Sequence, residues 1–139
     1  MKILFLCVAN SARSQLAEGL AKNLFSNDAE LQSAGSNPTQ LSPLAIEAMK
    51  EIGIDISMQY SKTVNDLSTE FLADLDYAIT LCAEEFCPVL GTKAKKLHWP
   101  VPDPGGYDEL LHEAKLLKFR VAREAIKAKL IAFMSELNK

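Results

Sequence analysis

Residues Lys2 to Leu16 read KILFLCVANSARSQL. The first six form a near-continuous apolar run, the pattern of a central strand buried on both faces. From Ser14 the period changes, and Leu16, Ala17, Leu20, Ala21 and Leu24 recur at helical spacing through Phe25. Between them lies a polar loop, with Cys7 at its entrance and Arg13 six positions on.

The rest of the chain repeats this alternation. A short strand is expected at Leu31–Ala34, closed by Gly35. Ser42-Pro43 sets a cap residue before a first-turn proline, opening a helix that runs to Ile52 and ends at Gly53. Asn65 or Asp66 is expected to cap a further helix through about Asp74. Tyr77–Leu81 reads as a buried strand and Lys96–Trp99 as a short fourth one. Tyr107 to about Leu137 keeps a helical period through Leu110, Ala114, Leu117, Val121 and Ala125. No repeat or linker interrupts the 139 residues, so one domain, 1–139, is expected. Its class is α/β, a parallel sheet with right-handed crossovers and helices on both faces. Ligands of such sheets bind outside the carboxyl ends of the strands. Cys7, Cys82 and the Trp99–Gly106 loop each follow a strand end, so they are expected to meet on one edge of the sheet.

Composition narrows the function classes. The chain is 48% hydrophobic and 24% charged, with a net charge of −3. No basic run points to nucleic acid or to an anionic membrane surface. The run Ile3 to Val8 is too short to span a bilayer and precedes no cleavage site, so a soluble cytoplasmic protein is expected. Nothing calls for a cofactor, and a monomer is expected. Three cysteines, Cys7, Cys82 and Cys87, do not make a disulfide framework in such a chain. They are buried inert thiols, metal ligands or reactive thiols.

The loop itself has chemistry. A helix start offers unpaired N–H groups and the positive end of the helix dipole. The N–H groups of Val8, Ala9, Asn10, Ser11, Ala12, Arg13 and Ser14 can form a nest around a tetrahedral oxyanion. Arg13 adds a planar fork that grips two anion oxygens, which lysine cannot imitate. The same field favours thiolate at Cys7, and Ser14 is placed to donate a hydrogen bond to it. Asn10 is the loop residue best suited to a left-handed backbone, and Ala9 is compatible only with negative φ. The plainer alternative is a buried cysteine, an ordinary turn and a surface arginine.

The segments LCVANSARSQLAEGLAKNLF, SAG (Ser33 to Gly35), AIEAMKEIGIDIS (Ala45 to Ser57), ITLC (Ile79 to Cys82), CPVL (Cys87 to Leu90) and LHWPVPDPGG (Leu97 to Gly106) settle on a family. Together they resemble the low-molecular-weight tyrosine phosphatase superfamily, more closely its thioredoxin-coupled arsenate reductase branch. The resemblance implies a flavodoxin-like three-layer fold with a four-stranded parallel sheet. It also implies Cys7 as nucleophile, Arg13 and the loop amides as the oxyanion site, and Asp103 as general acid. In that branch Cys7 attacks arsenate, Cys82 attacks Cys7 as arsenite leaves, and Cys87 attacks Cys82. Thioredoxin, or another thiol donor such as glutaredoxin with glutathione, then reduces the last disulfide. A phosphatase, by contrast, uses Cys7, Arg13 and Asp103 and has no role for Cys82 and Cys87. A low-molecular-weight phosphatase is therefore the runner-up, followed by an oxyanion-binding redox sensor. A zinc site of Cys7, Cys82, Cys87 and His98 is a more distant alternative.

Several positions depart from the family pattern. Ala9 and Ala12 stand where glycine and cysteine are usual, and the Cys82–Cys87 spacing is two residues shorter. An i,i+5 pair in a helix lies roughly 8–9 Å apart. A disulfide needs less than about 7 Å, so this segment is expected to change conformation on oxidation. Pro88 also biases Cys87 away from helical angles. Some relatives bind potassium; Asn10, Glu18 and Ser33 match three of those ligands, but Lys62 replaces an acidic one, so weak or absent potassium dependence is expected. Gly105-Gly106 follows the Asp103-Pro104 pair where phosphatases carry aromatics, which favours a small inorganic oxyanion. His98 and Trp99 are expected to pack under the neighbouring loop, and His112 to lie on the surface.

Overall fold

The computed structural model of the protein describes residues 1–83 and 93–139; the expectations for Cys87 and for the segment around it lie outside the described residues. The apolar run forms β1 (Lys2–Cys7), and the period change forms α1 (Arg13–Leu24). Then follow β2 (Glu30–Gly35), α2 (Pro43–Lys50), a 3-10 turn at Val64–Asp66, and α3 (Thr69–Ala73). The chain ends with β3 (Tyr77–Thr80), β4 (Lys95–His98) and α4 (His112–Leu137). The four strands make one parallel sheet in the order β2-β1-β3-β4.

Central placement explains the continuous hydrophobicity of β1. Ile3 and Phe5 enter the larger core with Leu16, Leu20, Phe119 and Ile126, while Leu4 and Leu6 enter the opposite core with Phe71 and Leu75. The larger core lies under α1, α2 and α4, and the smaller one under α3. Strand alternation thus buries both faces of one strand. Among the described residues, no helix is long and apolar enough to cross a membrane.

Three local expectations are corrected. Neither Asn65 nor Asp66 caps α3. Asp66 closes a capping box with Thr63 around the 3-10 turn, and the Thr63 backbone N–H holds its carboxyl below the ordinary value. Leu67 is extended and restarts the chain, so Ser68 becomes the cap, its Oγ accepting the Phe71 N–H at 3.1 Å. Helix α2 ends at Lys50, two residues before the expected Ile52, and a turn leads to Gly53 at φ 80°.

The largest correction concerns α4. It begins at His112, because the residues from Tyr107 make a separate turn closed by Leu110 N–H to the Tyr107 carbonyl at 3.1 Å. Its buried face is Leu116, Phe119, Ala122, Arg123, Ile126, Leu130 and Phe133. The expected stripe faces outward, with Leu117 55% and Val121 63% exposed. Two apolar stripes one residue apart share one period, and periodicity alone does not rank them. Leu117, Val121 and Ala125 instead flank a cavity of about 260 Å³ against Val101, Pro102 and Asp103. A charge clasp orients the helix. Arg120 grips Glu51 at 2.6 Å, and Arg123 Nη1 reaches Glu51 at 2.9 Å and the Ala48 carbonyl at 2.7 Å. The Arg120 hydrogen bond is the main cause that pushes the Glu51 carboxyl down to about 2.

Candidate active site

The loop after β1 turns its carbonyls outward. Val8, Ala9 and Ser11 accept from the N–H groups of Asn37, Thr39 and Ser42 at 2.9, 3.0 and 2.9 Å. The Asn10 carbonyl accepts from Ser61 Oγ at 2.7 Å and Gln15 Nε2 at 3.0 Å. With the oxygens held from outside, the loop's N–H groups are left for its centre; those of Ala9 to Ala12 meet no acceptor among the described residues. Asn10 has φ 49°, the one non-glycine in the left-handed region among the described residues, and Ala9 avoids it. Such a peptide turn needs a residue that tolerates this region, which Asn does. Gly35 permits the packing, since a Cβ there would stand 2.4 Å from the Val8 carbonyl oxygen.

Helix α1 begins where the loop ends. Ala12 at its N-cap offers no side-chain cap, and the first turn carries no acidic residue. The unpaired amides and the dipole therefore face the site without a built-in anion. Cys7 is a free thiol only 2% exposed, with its Sγ 2.9 Å from Ser14 Oγ. Arg13 is buried, donating from Nη1 to the Val101 carbonyl at 3.0 Å. Its Nη2 lies 3.9 Å from Asp103 Oδ2. Asp103 Oδ1 accepts the Gly105 N–H at 2.9 Å, and its side chain is 56% exposed. Residues about ninety positions apart in the sequence thus converge just past the strand ends.

These features combine a buried thiol, a helix start, a braced guanidinium and a carboxyl group open to solvent. A family profile described as low molecular weight phosphotyrosine protein phosphatase matches residues 2–139. The arsenate reductase of Staphylococcus aureus strain Newman is 43% identical over 106 residues, covering 75% of this chain and 79% of that protein. The chain belongs to the low-molecular-weight phosphotyrosine phosphatase family, in its arsenate reductase branch. A solved arsenate reductase in the phosphate-binding state superposes with TM-score 0.76 at 31% identity, covering 97% of both chains. A thioredoxin-dependent arsenate reductase of Corynebacterium glutamicum gives TM-score 0.61 at 29% identity, covering 92% of this chain and 62% of that one.

Within this family scaffold, the second cysteine lies close by in register. Leu6 of β1 pairs with Thr80 of β3, so Cys7 ends β1 while Cys82 lies just past the end of neighbouring β3. Cys82 is buried and disulfide-bonded. His98 is set apart: its Nδ1 shares a 2.7 Å hydrogen bond with Thr80 Oγ1. Trp99 packs edge-on to Phe133 at 5.6 Å, and exposed His112 pairs with Glu47 at 2.8 Å. Among the described residues no cluster of three or more His, Cys, Asp or Glu forms a metal site.

The residues that the resemblance matches to a potassium site do not fit a cation here. Lys22 holds Glu18 Oε2 at 2.6 Å and buried Lys62 lies 3.8 Å from Oε1. Asn10 turns its amide nitrogen, not its oxygen, toward Ser33 at 3.0 Å. Burial pushes the Lys62 ammonium below its ordinary value, with Glu18 pulling the other way. Sequence reasoning missed Gln15, Ser61 and Val101, which brace the loop and Arg13. Two act from distant segments, and Gln15 resembles any polar helical residue until its burial is seen.

Proposed function

We propose that the protein reduces arsenate to arsenite by a thiol relay, with thioredoxin as reductant. The observation that carries this reading is the register placing Cys82 just beyond the strand end neighbouring that of Cys7. The loop amides and Arg13 hold the oxyanion, and Ser14 stabilises the attacking thiolate. Cys7 forms a sulfur–arsenic bond while Asp103 supplies a proton to the departing oxygen, which leaves as water. Cys82 thiolate then attacks Cys7 sulfur. The sulfur–arsenic bond breaks with its electron pair remaining on arsenic, which leaves as arsenite, and a Cys7–Cys82 disulfide remains. Cys87 attacks Cys82 and frees Cys7, and thioredoxin reduces the resulting pair. The Corynebacterium relative supports the choice of donor.

Arsenate-dependent turnover with thioredoxin, thioredoxin reductase and NADPH tests this reading, beside hydrolysis of an aryl phosphate. Cys7→Ser, Cys82→Ser and Cys87→Ser are each expected to abolish multiple-turnover reduction. Only Cys7→Ser is expected to abolish phosphate ester hydrolysis. Normal reduction by both Cys82→Ser and Cys87→Ser sinks the relay, and hydrolysis without any reduction turns the assignment to phosphatase.

A further inference from the structure

The segment that carries Asp103 has two sides. On one, Val101 and Asp103 meet Arg13 through the contacts at 3.0 and 3.9 Å. On the other, Val101, Pro102 and Pro104 form one wall of the cavity of about 260 Å³. Its opposite wall is the outward stripe of α4, Leu117, Val121 and Ala125. No residue from Val8 to Ser14 lines this cavity, so it is separate from the nest of loop amides. Leu117 and Val121 stay more than half exposed, so nothing among the described residues closes over them. Exposed apolar surface gathered into a hollow, with few polar groups, is the ordinary form of a small-molecule site.

Two charged side chains touch the hollow, and they are not equivalent. Asp103 is committed elsewhere, with Oδ1 on the Gly105 N–H and Oδ2 toward Arg13. Lys118 is uncommitted: its Nζ stands 4.0 Å over the Tyr107 ring and meets no carboxylate among the described residues. A ring face leaves most of an ammonium's charge uncompensated. The hollow therefore offers carbon on both walls and one cation without a counter-ion. We propose that this cavity binds a small amphiphilic anion, its apolar body between the Asp103 loop and α4 and its carboxylate on Lys118. An apolar cavity of about 150 Å³ takes benzene, so there is room here for two fused rings. Such an occupant lies against the reverse of the segment that braces Arg13, and it does not compete with the oxyanion.

Titration of the full chain with 2-naphthoate, followed by amide chemical shifts, tests this. Saturable shifts are expected at Val101, Asp103, Tyr107, Leu117, Lys118 and Val121, with a Kd of about 0.1–1 mM. The neutral 2-naphthalenemethanol has the same rings without the charge, and should bind about three- to tenfold more weakly. Lys118→Gln should erase that preference by weakening naphthoate alone. Val121→Glu, at an exposed helical position, should abolish naphthoate binding at an unchanged melting temperature. Saturating phosphate should leave the naphthoate affinity unchanged. Absence of saturable shifts on the two walls overturns the proposal, as does equal affinity of the parent for the acid and the alcohol. Displacement of naphthoate by phosphate would move it to the oxyanion loop and overturn the separate site. Shifts on these walls with reduced thioredoxin but none with naphthoate would give the surface to a protein partner, which also overturns it. The parent alone distinguishes acid from alcohol, so the test survives a variant that fails to fold. None of these measurements involves turnover, so they are independent of the relay.

Discussion

The two loops that meet at Arg13 are built in opposite ways. From Val8 to Ala12 the loop is braced from three segments of chain, and its Asn10 and the adjoining Ser14 are fully buried. The Val101–Gly106 loop carries a half-exposed Asp103, anchored by its own turn and by one arginine. Holding an oxyanion requires donors that are aimed before the ligand arrives, since reorienting them during reaction costs catalysis. Supplying a proton requires exchange with water between turnovers. In the proposed function burial serves the first task and exposure the second, with the Arg13 fork between them.

Substitutions at the junction have the largest expected effects. Arg13→Lys keeps the charge and removes the fork, so arsenate turnover should fall by about a hundred- to a thousandfold. A fall below about fivefold would mean that the loop amides suffice and the fork is incidental. Asp103→Asn preserves an acceptor for the Gly105 N–H but has no proton to give. Turnover should drop by about a hundredfold with little change in melting temperature, which separates chemistry from folding. An equal loss of stability would show that the acid loop is as integral to the fold as the oxyanion loop.

Gly35→Ala probes the braced loop from outside its own sequence. The added Cβ meets the Val8 carbonyl oxygen, so a stability loss of about 1–3 kcal/mol is expected, measured by urea unfolding, together with weaker oxyanion binding. The clasp on α4 makes a pH prediction. The folded Glu51 carboxyl titrates near 2, below its ordinary 4.5, so its contribution is present above about 4.5 and disappears as pH falls toward 2. The stability of Glu51→Gln should therefore vary less than that of the parent across that window. Smallest of all, Leu117→Ala on the outward stripe should change stability by less than about 0.5 kcal/mol. A loss above about 2 kcal/mol would return that stripe to the core.

Legibility from the sequence followed the range of the forces involved. The apolar run of β1, the helical period of α1 and the left-handed Asn10 depend on neighbours a few residues away, and each reads directly. The cap of α3 was misplaced because Thr63 drew Asp66 into a box of its own, leaving Ser68 to start the helix. The face of α4 was misread because Leu117 and Leu116 are equally apolar, and only packing against α1 and α2 tells them apart.

What KILFLCVANSARSQL carries locally is a strand, a helix start, a thiol and a guanidinium, because backbone preference and side-chain period act over a single turn. The partners that make these groups a site come from elsewhere: the Val101 carbonyl for Arg13, Ser33 and the Lys62 N–H for Asn10, Gly35 beside Val8. They adjoin the loop only because parallel pairing aligns the carboxyl ends of β2, β1, β3 and β4. Local chemistry supplied the reactive groups; burial and hydrogen-bond closure over the assembled sheet decided where each one points.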